Sequence, residues 1–269
     1  MDFIRHKYNM TANTDRNPSA NIWADCPSDS ELELGPRCGI KFWDDFVNFG
    51  AHNTDQATQL YSSYIDTGNT ITQVALAGGV IALVTDTTDN DAPVLQAGGD
   101  TGGAFQITTA TAGKLWFEAR IQVAALVEHA VFVGLGAPGA TADNGVHVDD
   151  TGAVVTTAAF IGWNAPAAAS TVVFDGIHGK ASGTVVIAAS DKHTAVADTW
   201  VKLGFVFDPI ADTLTYYVNG VAVTTIDVSD AGTTNFPSGV LLSPVIAAKS
   251  GSGAAKTLRC DWIRCVQLL

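Results

Sequence analysis

Along FDPIADTLTYYVNGVAVTTI, residues 207–226, apolar and polar positions alternate on both sides of Asn219-Gly220. Successive side chains of a strand point to opposite faces, so Leu214, Tyr216 and Val218 share one side of the first run. In the second, Val221 and Val223 oppose Ala222, Thr224 and Ile226. Asn-Gly suits a two-residue turn that needs positive φ at both central residues. Asp208-Pro209 and Asp212 supply a further turn toward WVKLGFVF. The pattern predicts a three-stranded meander from Trp200 to Ile226. KLWFEARIQV follows the same logic: Leu115, Phe117, Ala119, Ile121 and Val123 form one apolar face, with Glu118, Arg120 and Gln122 on the other.

The alternation recurs from Ile40 to the end. KFWDDFVNF, TITQVAL, VIALVT, PVLQA, AFQITT, AVFVGLG, TTAAFIGW, TVVFD, TVVIAA, VLLSPVIAA and KTLRCDWIRCVQLL all read as short strands between turn clusters. With no helical period and no internal linker, residues 41–269 are expected to form one antiparallel β-sandwich domain. In the last strand Cys260 and Cys265 lie an odd number apart, and parity puts them on opposite faces. Cys260 then joins Leu258, Trp262, Val266 and Leu268 on the core side.

Residues 1–40 break the pattern. They are rich in Asn, Asp, Ser and Pro and hold no sustained period. The expectation is an extended arm with apolar anchors at Phe3, Ile4, Tyr8, Ile22 and Trp23. Such an arm contributes little to its own core and orders on another chain.

Composition narrows the function classes. The 269 residues are 47% hydrophobic and only 15% charged, with a net charge of −13. The acidity falls almost wholly after residue 41 and argues against gripping nucleic-acid phosphates, which takes clustered Lys and Arg. The longest apolar run, VALAGGVIALV, is too short for a membrane span. The N-terminus shows no apolar core of a secretion signal, so a cytoplasmic origin is expected. The four cysteines form no CxxC, and free thiols are expected.

The order of segments resembles the concanavalin A-like lectin/glucanase jelly roll, laminin-G-type domains included. FWDDF (Phe42–Phe46) and LRCDWIRCVQL (Leu258–Leu268) resemble its paired terminal strands. KLWFEARIQV followed by AVFVGLG resembles its central strands, and Asp198–Ile226 its late meander with a YVNG hairpin. The resemblance implies an all-β jelly roll over residues 41–269. Its enzymes carry an E-x-D-x-x-E strand motif. Here the only glutamates are Glu31, Glu33, Glu118 and Glu128, and Ala119 and Arg120 follow Glu118. The motif is absent, which weighs against a retaining glucanase and leaves no catalytic residue to name.

Other chemistry is sparse. TDTTDNDAP gathers Asp86, Asp89 and Asp91, and TADNGVHVDD gathers Asp143, Asn144, Asp149 and Asp150. Such hard oxygens suit Ca²⁺, although neither loop has an EF-hand register, and no other cofactor is expected. The six histidines are scattered, and neither HExxH nor G-x-S-x-G occurs. Trp43, Trp163, Tyr61 and Tyr64 are rings able to stack on a sugar, and a ligand loop of Asn144, Asp149 and Asp150 beside Trp163 is the candidate glycan site. Two functions stay open. An acidic, chemically quiet sandwich with a polar arm resembles accessory virion proteins of tailed bacteriophages. That implies a capsid decoration protein, homo-oligomeric, assembled in the host cytoplasm and bound to the major capsid protein through its arm. The alternative is a carbohydrate-binding, laminin-G-like adhesion module.

Overall fold

The computed structural model describes residues 16–27, 32, 39–52, 54–57, 60–108, 113–168, 170–229 and 235–269. Among them the chain forms β1 (Gly39–Asp44), β2 (Gln56–Ala57), β3 (Tyr61–Tyr64), β4 (Thr70–Gln73), β5 (Ile81–Val84) and β6 (Val94–Ala97). There follow β7 (Phe105–Ile107), β8 (Leu115–Val123), β9 (His129–Gly136), β10 (Phe160–Ala165), β11 (Val173–Gly179) and β12 (Val186–Thr194). The last five are β13 (Trp200–Asp208), β14 (Thr213–Val218), β15 (Val221–Asp227), β16 (Val240–Ser250) and β17 (Thr257–Leu268).

The strands make two antiparallel sheets. The eight-stranded sheet runs β15-β14-β13-β8-β17-β5-β4, with β1 also paired to β17. The nine-stranded sheet runs β12-β11-β10-β9-β16-β6-β3-β2, with β7 also paired to β16. Their facing sides close one apolar core, which includes Phe117, Trp163, Phe174, Phe205, Phe207 and Tyr216. This is the antiparallel sandwich that the alternation implied, and the jelly roll that the resemblance implied. The terminal strands pair as expected, from Gly39 opposite Leu268 to Asp44 opposite Ile263. The first strand stops at Asp44, short of the expected Phe46. The Phe46 amide donates to Asp44 Oδ1 at 2.6 Å, and Phe46 turns the chain at φ 55°.

The meander stands where it was expected, with Asn219 and Gly220 at φ 50° and 76°. The parity of the last strand does not hold. Asp261 is an extra residue between Cys260, opposite Ile121, and Trp262, opposite Arg120. An inserted residue reverses the side-chain alternation beyond it. Cys260 and Cys265 therefore both point into the same core. Trp262, Val266 and Leu268, assigned to the core side with Cys260, instead lie on the outer face of the sheet.

Both outer faces are covered. On the nine-stranded sheet, the β9–β10 connection (137–159) folds back so that Ala140, Val146 and Val154 pack on Val94, Phe132, Phe160, Ile177, Val245 and Ala247. On the eight-stranded sheet, residues 16–27 cross the strands as a strap. Ile22 is buried there with Leu32, Trp116, Val206 and Val266. Gly204 makes room for it, since a Cβ at that position would stand 2.8 Å from Ile22 Cδ1.

Candidate functional site

The candidate glycan loop is not assembled as a site. Trp163 is fully buried between the sheets, where its indole Nε1 donates to the Gly204 carbonyl at 3.0 Å and its ring meets Tyr216 edge-on. It belongs to the core because β10 presents Ile161, Trp163 and Ala165 inward. Asn144, Asp149 and Asp150 lie on the covering loop of the nine-stranded sheet, exposed and away from any open cleft. Asn144 Oδ1 accepts from the buried Lys249 ammonium at 2.7 Å, and Asp149 accepts from the Thr151 amide at 3.0 Å. Beneath the loop, His147 Nε2 bonds Asn164 Oδ1 at 3.0 Å. Burial holds the His147 imidazole down to about 4. The apolar seam between loop and sheet leaves a cavity of only about 10 Å³, too small for a sugar.

The acidic loop after β5 places Asp86 beside Asp91. Asp91 is buried, and burial together with the Asp86 and Asp66 carboxylates pushes its pKa up to about 7. Asp86 Oδ1 instead takes the Thr88 amide. Among the described residues, no three His, Cys, Asp or Glu side chains gather closely enough to hold a metal ion.

Phe3, Ile4 and Tyr8 lie outside the described residues. Ile22 and Trp23 are placed against their own sandwich, not held out for a second chain. Trp23 Nε1 donates to Glu118 Oε2 at 2.7 Å, and the Ser19 amide donates to the same oxygen at 2.9 Å. Glu118 is fully buried, and the cost of burying its charge raises its pKa. Beside it Asp261 accepts from Arg120 at 2.6 Å and from Arg16 at 2.8 Å. Asp25 accepts from Lys114 and from Trp116 Nε1. The polar side of β8 is therefore sealed by the strap.

The open surface lies elsewhere, on the flank where β1 of one sheet faces β3 of the other. Trp43, Val47 and Leu60, each about half exposed, surround a cavity of about 430 Å³ with Asp44, Asp45, Asn48, Phe49, His52 and Tyr61. Trp43 points away from the core because it alternates with Ile40 and Phe42, which pack inward. Its ring is braced by the Arg264 guanidinium at 5.2 Å and the Lys41 ammonium at 5.8 Å. Tyr61 donates its hydroxyl to Asp44 Oδ2, which with burial pushes the phenol well above its ordinary range. His52 stacks on Phe49 and meets Ser63 at 2.8 Å, and burial lowers its basicity, so it stays neutral at pH 7. The arrangement offers an exposed indole, fixed carboxylate and amide oxygens, and no activated nucleophile. The sequence offered Trp43 and Tyr61 among the rings able to stack on a sugar but did not single out this flank, because FWDDFVNF reads as a strand from end to end; the signal was Trp43 on the polar side of that alternation.

No protein-family model and no curated protein matches the chain. Solved structures match it at the level of fold. The carbohydrate recognition domain of Emp47p superposes with a TM-score of 0.53 at 11% identity, over 82% of this chain and 92% of that one. Peanut lectin gives 0.51 at 15% identity over 86% and 98%. The catalytic domain of an endo-1,3-β-glucanase from Thermotoga petrophila gives 0.51 at 10% identity over 84% and 98%. What these likenesses show is the fold alone, a two-sheet jelly roll of the kind seen in lectins and glucanases. Its members include both binding and catalytic proteins, so the fold leaves the activity to be argued from the site. These neighbours lend no support to the expectation of a virion shell protein.

Proposed function

We propose that this chain is a non-catalytic carbohydrate-binding domain whose site is the Trp43 pocket. The observation that carries the reading is a half-exposed indole standing over a cavity rimmed by carboxylate and amide oxygens. Apolar ring faces stack on the C–H faces of sugars, and fixed oxygens accept from their hydroxyls. The absence of activity is argued from the acids. Glycoside hydrolysis takes two carboxyls flanking the scissile bond. No Asp or Glu occurs in β3, β6, β9, β10 or β16, the middle of the nine-stranded sheet. Glu118 is sealed under the strap. In the pocket itself Asp44 is held by Tyr61 and the Phe46 amide, and Asp45 by Arg264 at 3.4 Å.

The test is a glycan array followed by calorimetry on its strongest hits, for the wild type and Trp43→Ala. Binding lost on the substitution, without hydrolysis of the bound glycan, supports the reading. An array without hits, or hits indifferent to Trp43→Ala, removes it.

A further inference from the structure

Three cavities line up along β1. The Trp43 pocket is the first. The second, about 300 Å³, opens between Phe42 and Leu60 on one side and the glycine-rich stretch Gly98, Gly99, Gly102 and Gly103 on the other. The third, about 330 Å³, lies between Ile40, Ala104 and Leu241. Leu60 borders the first two and Ala104 borders the second and third, so the three form one groove. Ile40 to Asp45 spans roughly 17 Å of extended chain, room for several pyranose rings in a row.

The walls carry a consistent chemistry. Among the described residues lining the three cavities there is no lysine or arginine, while Asp44 and Asp45 stand at the Trp43 end. The rest of the lining is glycine, alanine, apolar side chains, amides, the hydroxyl residues Ser243, Thr108 and Tyr61, and His52. A carboxylate-bearing or sulfated ligand entering this groove meets Asp44 and Asp45, while the nearest cations, Lys41 and Arg264, lie against the Trp43 ring and Arg264 is also paired with Asp45. Each cavity is near the small end of ligand-site volumes, which suits one or two sugar units apiece. The glycines keep the second cavity open: around the position of a Cβ on Gly99 or Gly102 there is no heavy atom within 4 Å, and neither residue has positive φ. A side chain added there would project into the groove without straining the backbone.

Resting on the glycan-binding reading above, we infer that the ligand is a neutral, linear oligosaccharide laid along β1, with one unit against Trp43 and the next ones over the glycine floor. Calorimetry tests this with neutral gluco- and manno-oligosaccharides of two to six units and with sulfated and sialylated counterparts. Affinity is expected to rise about tenfold from two units to four, and the acidic counterparts are expected to bind about tenfold more weakly. Gly102→Leu, with Gly99→Leu as an independent second plug, should abolish the gain with length and leave the shortest ligand bound as before. Trp43→Ala should remove binding at every length. Affinity that is flat with length, indifferent to both plugs, or higher for acidic glycans overturns the extended groove, even where Trp43→Ala still abolishes binding. Failure of every glycan to bind, or capture of extended peptides instead, overturns the glycan reading beneath it.

Discussion

The two outer faces of the sandwich are closed in opposite ways. Over the nine-stranded sheet, residues 137–159 bring apolar side chains down onto apolar side chains, with Ala140, Val146 and Val154 on Phe132 and Phe160. Over the eight-stranded sheet, the strap of residues 16–27 is fastened through charge. Asp261 joins Arg16 to Arg120, Glu118 takes two strap donors, and Asp25 joins Lys114 and Trp116. Ile22 is the main apolar contact of the strap. The first closure is held by area and fails gradually as methyl groups are lost. The second is held by a few partners in low dielectric and fails abruptly when one is lost. Beside the strap a cavity of about 340 Å³ remains between Arg16, Gly78, Trp262 and Arg264, and it adjoins the Trp43 pocket through Asp45 and Val47, so the proposed ligand surface lies on the flank beside β1.

The largest expected effect is on the strap. Asp261→Ala withdraws the carboxylate that two guanidiniums share, one of them buried. Breaking such an arrangement costs about 3 kcal/mol, or roughly 10 °C in melting temperature for a domain of this size. Thermal denaturation followed by circular dichroism measures it, and a shift within two or three degrees would show the charged fastening to be incidental.

Ile22→Ala comes next. Truncating a buried isoleucine costs about 2 kcal/mol at the lower end of the usual range. A neutral outcome would return residues 16–27 to the detached arm that their composition implied. Val146→Ala on the opposite cover removes two methyl groups from a smaller seam, about 1.5 kcal/mol. Its effect should appear as faster amide exchange confined to 137–159; uniform exchange across the domain would contradict a separate cover.

The smallest effect is a pH dependence on the apolar side. His147 is held neutral in the fold with its pKa lowered to about 4, against about 6.5 when unfolded. Between those values the unfolded chain binds more protons, so stability falls as pH drops from 6.5 toward 4 and is complete above that window. Replacing His147 by Gln should flatten this slope by about 1.4 kcal/mol per pH unit inside the window while leaving stability at neutral pH almost untouched. An unchanged slope would assign it to other histidines, such as His129.

These contrasts also mark what the sequence made legible. β8 and the meander β13–β15 could be read residue by residue, because each is a regular strand with a clean inner face. The outer residues of β8 looked solvent-facing, and nothing in their own alternation announces a strap supplied from more than 90 positions away. The strap itself has no period because it is held by individual hydrogen bonds, which follow no helical or strand spacing. β3, with Ser62 and Ser63 inside YSSY, was passed over because both serines are polar yet buried. The bulge at Asp261 inverted the end of β17, and parity counting has no means of seeing an inserted residue. Trp163 was offered as a ligand ring and proved to be core, whereas Trp43 is the exposed one. Ring type alone does not distinguish the two; their neighbours along each strand do.

The measurement closest to the central claim is a proton–nitrogen spectrum of the indole groups, recorded while the strongest glycan hit is titrated in. The chain has six tryptophans. Trp163 donates its indole N–H inside the core, and Trp23, Trp116 and Trp262 donate theirs at the strap. The account predicts a saturable shift of the Trp43 signal, with backbone shifts at Asn48 and Leu60, while those four indoles stay in place. Shifts confined to the strap indoles, or to Val146 and His147 on the opposite cover, would put the ligand on a sheet face and contradict it.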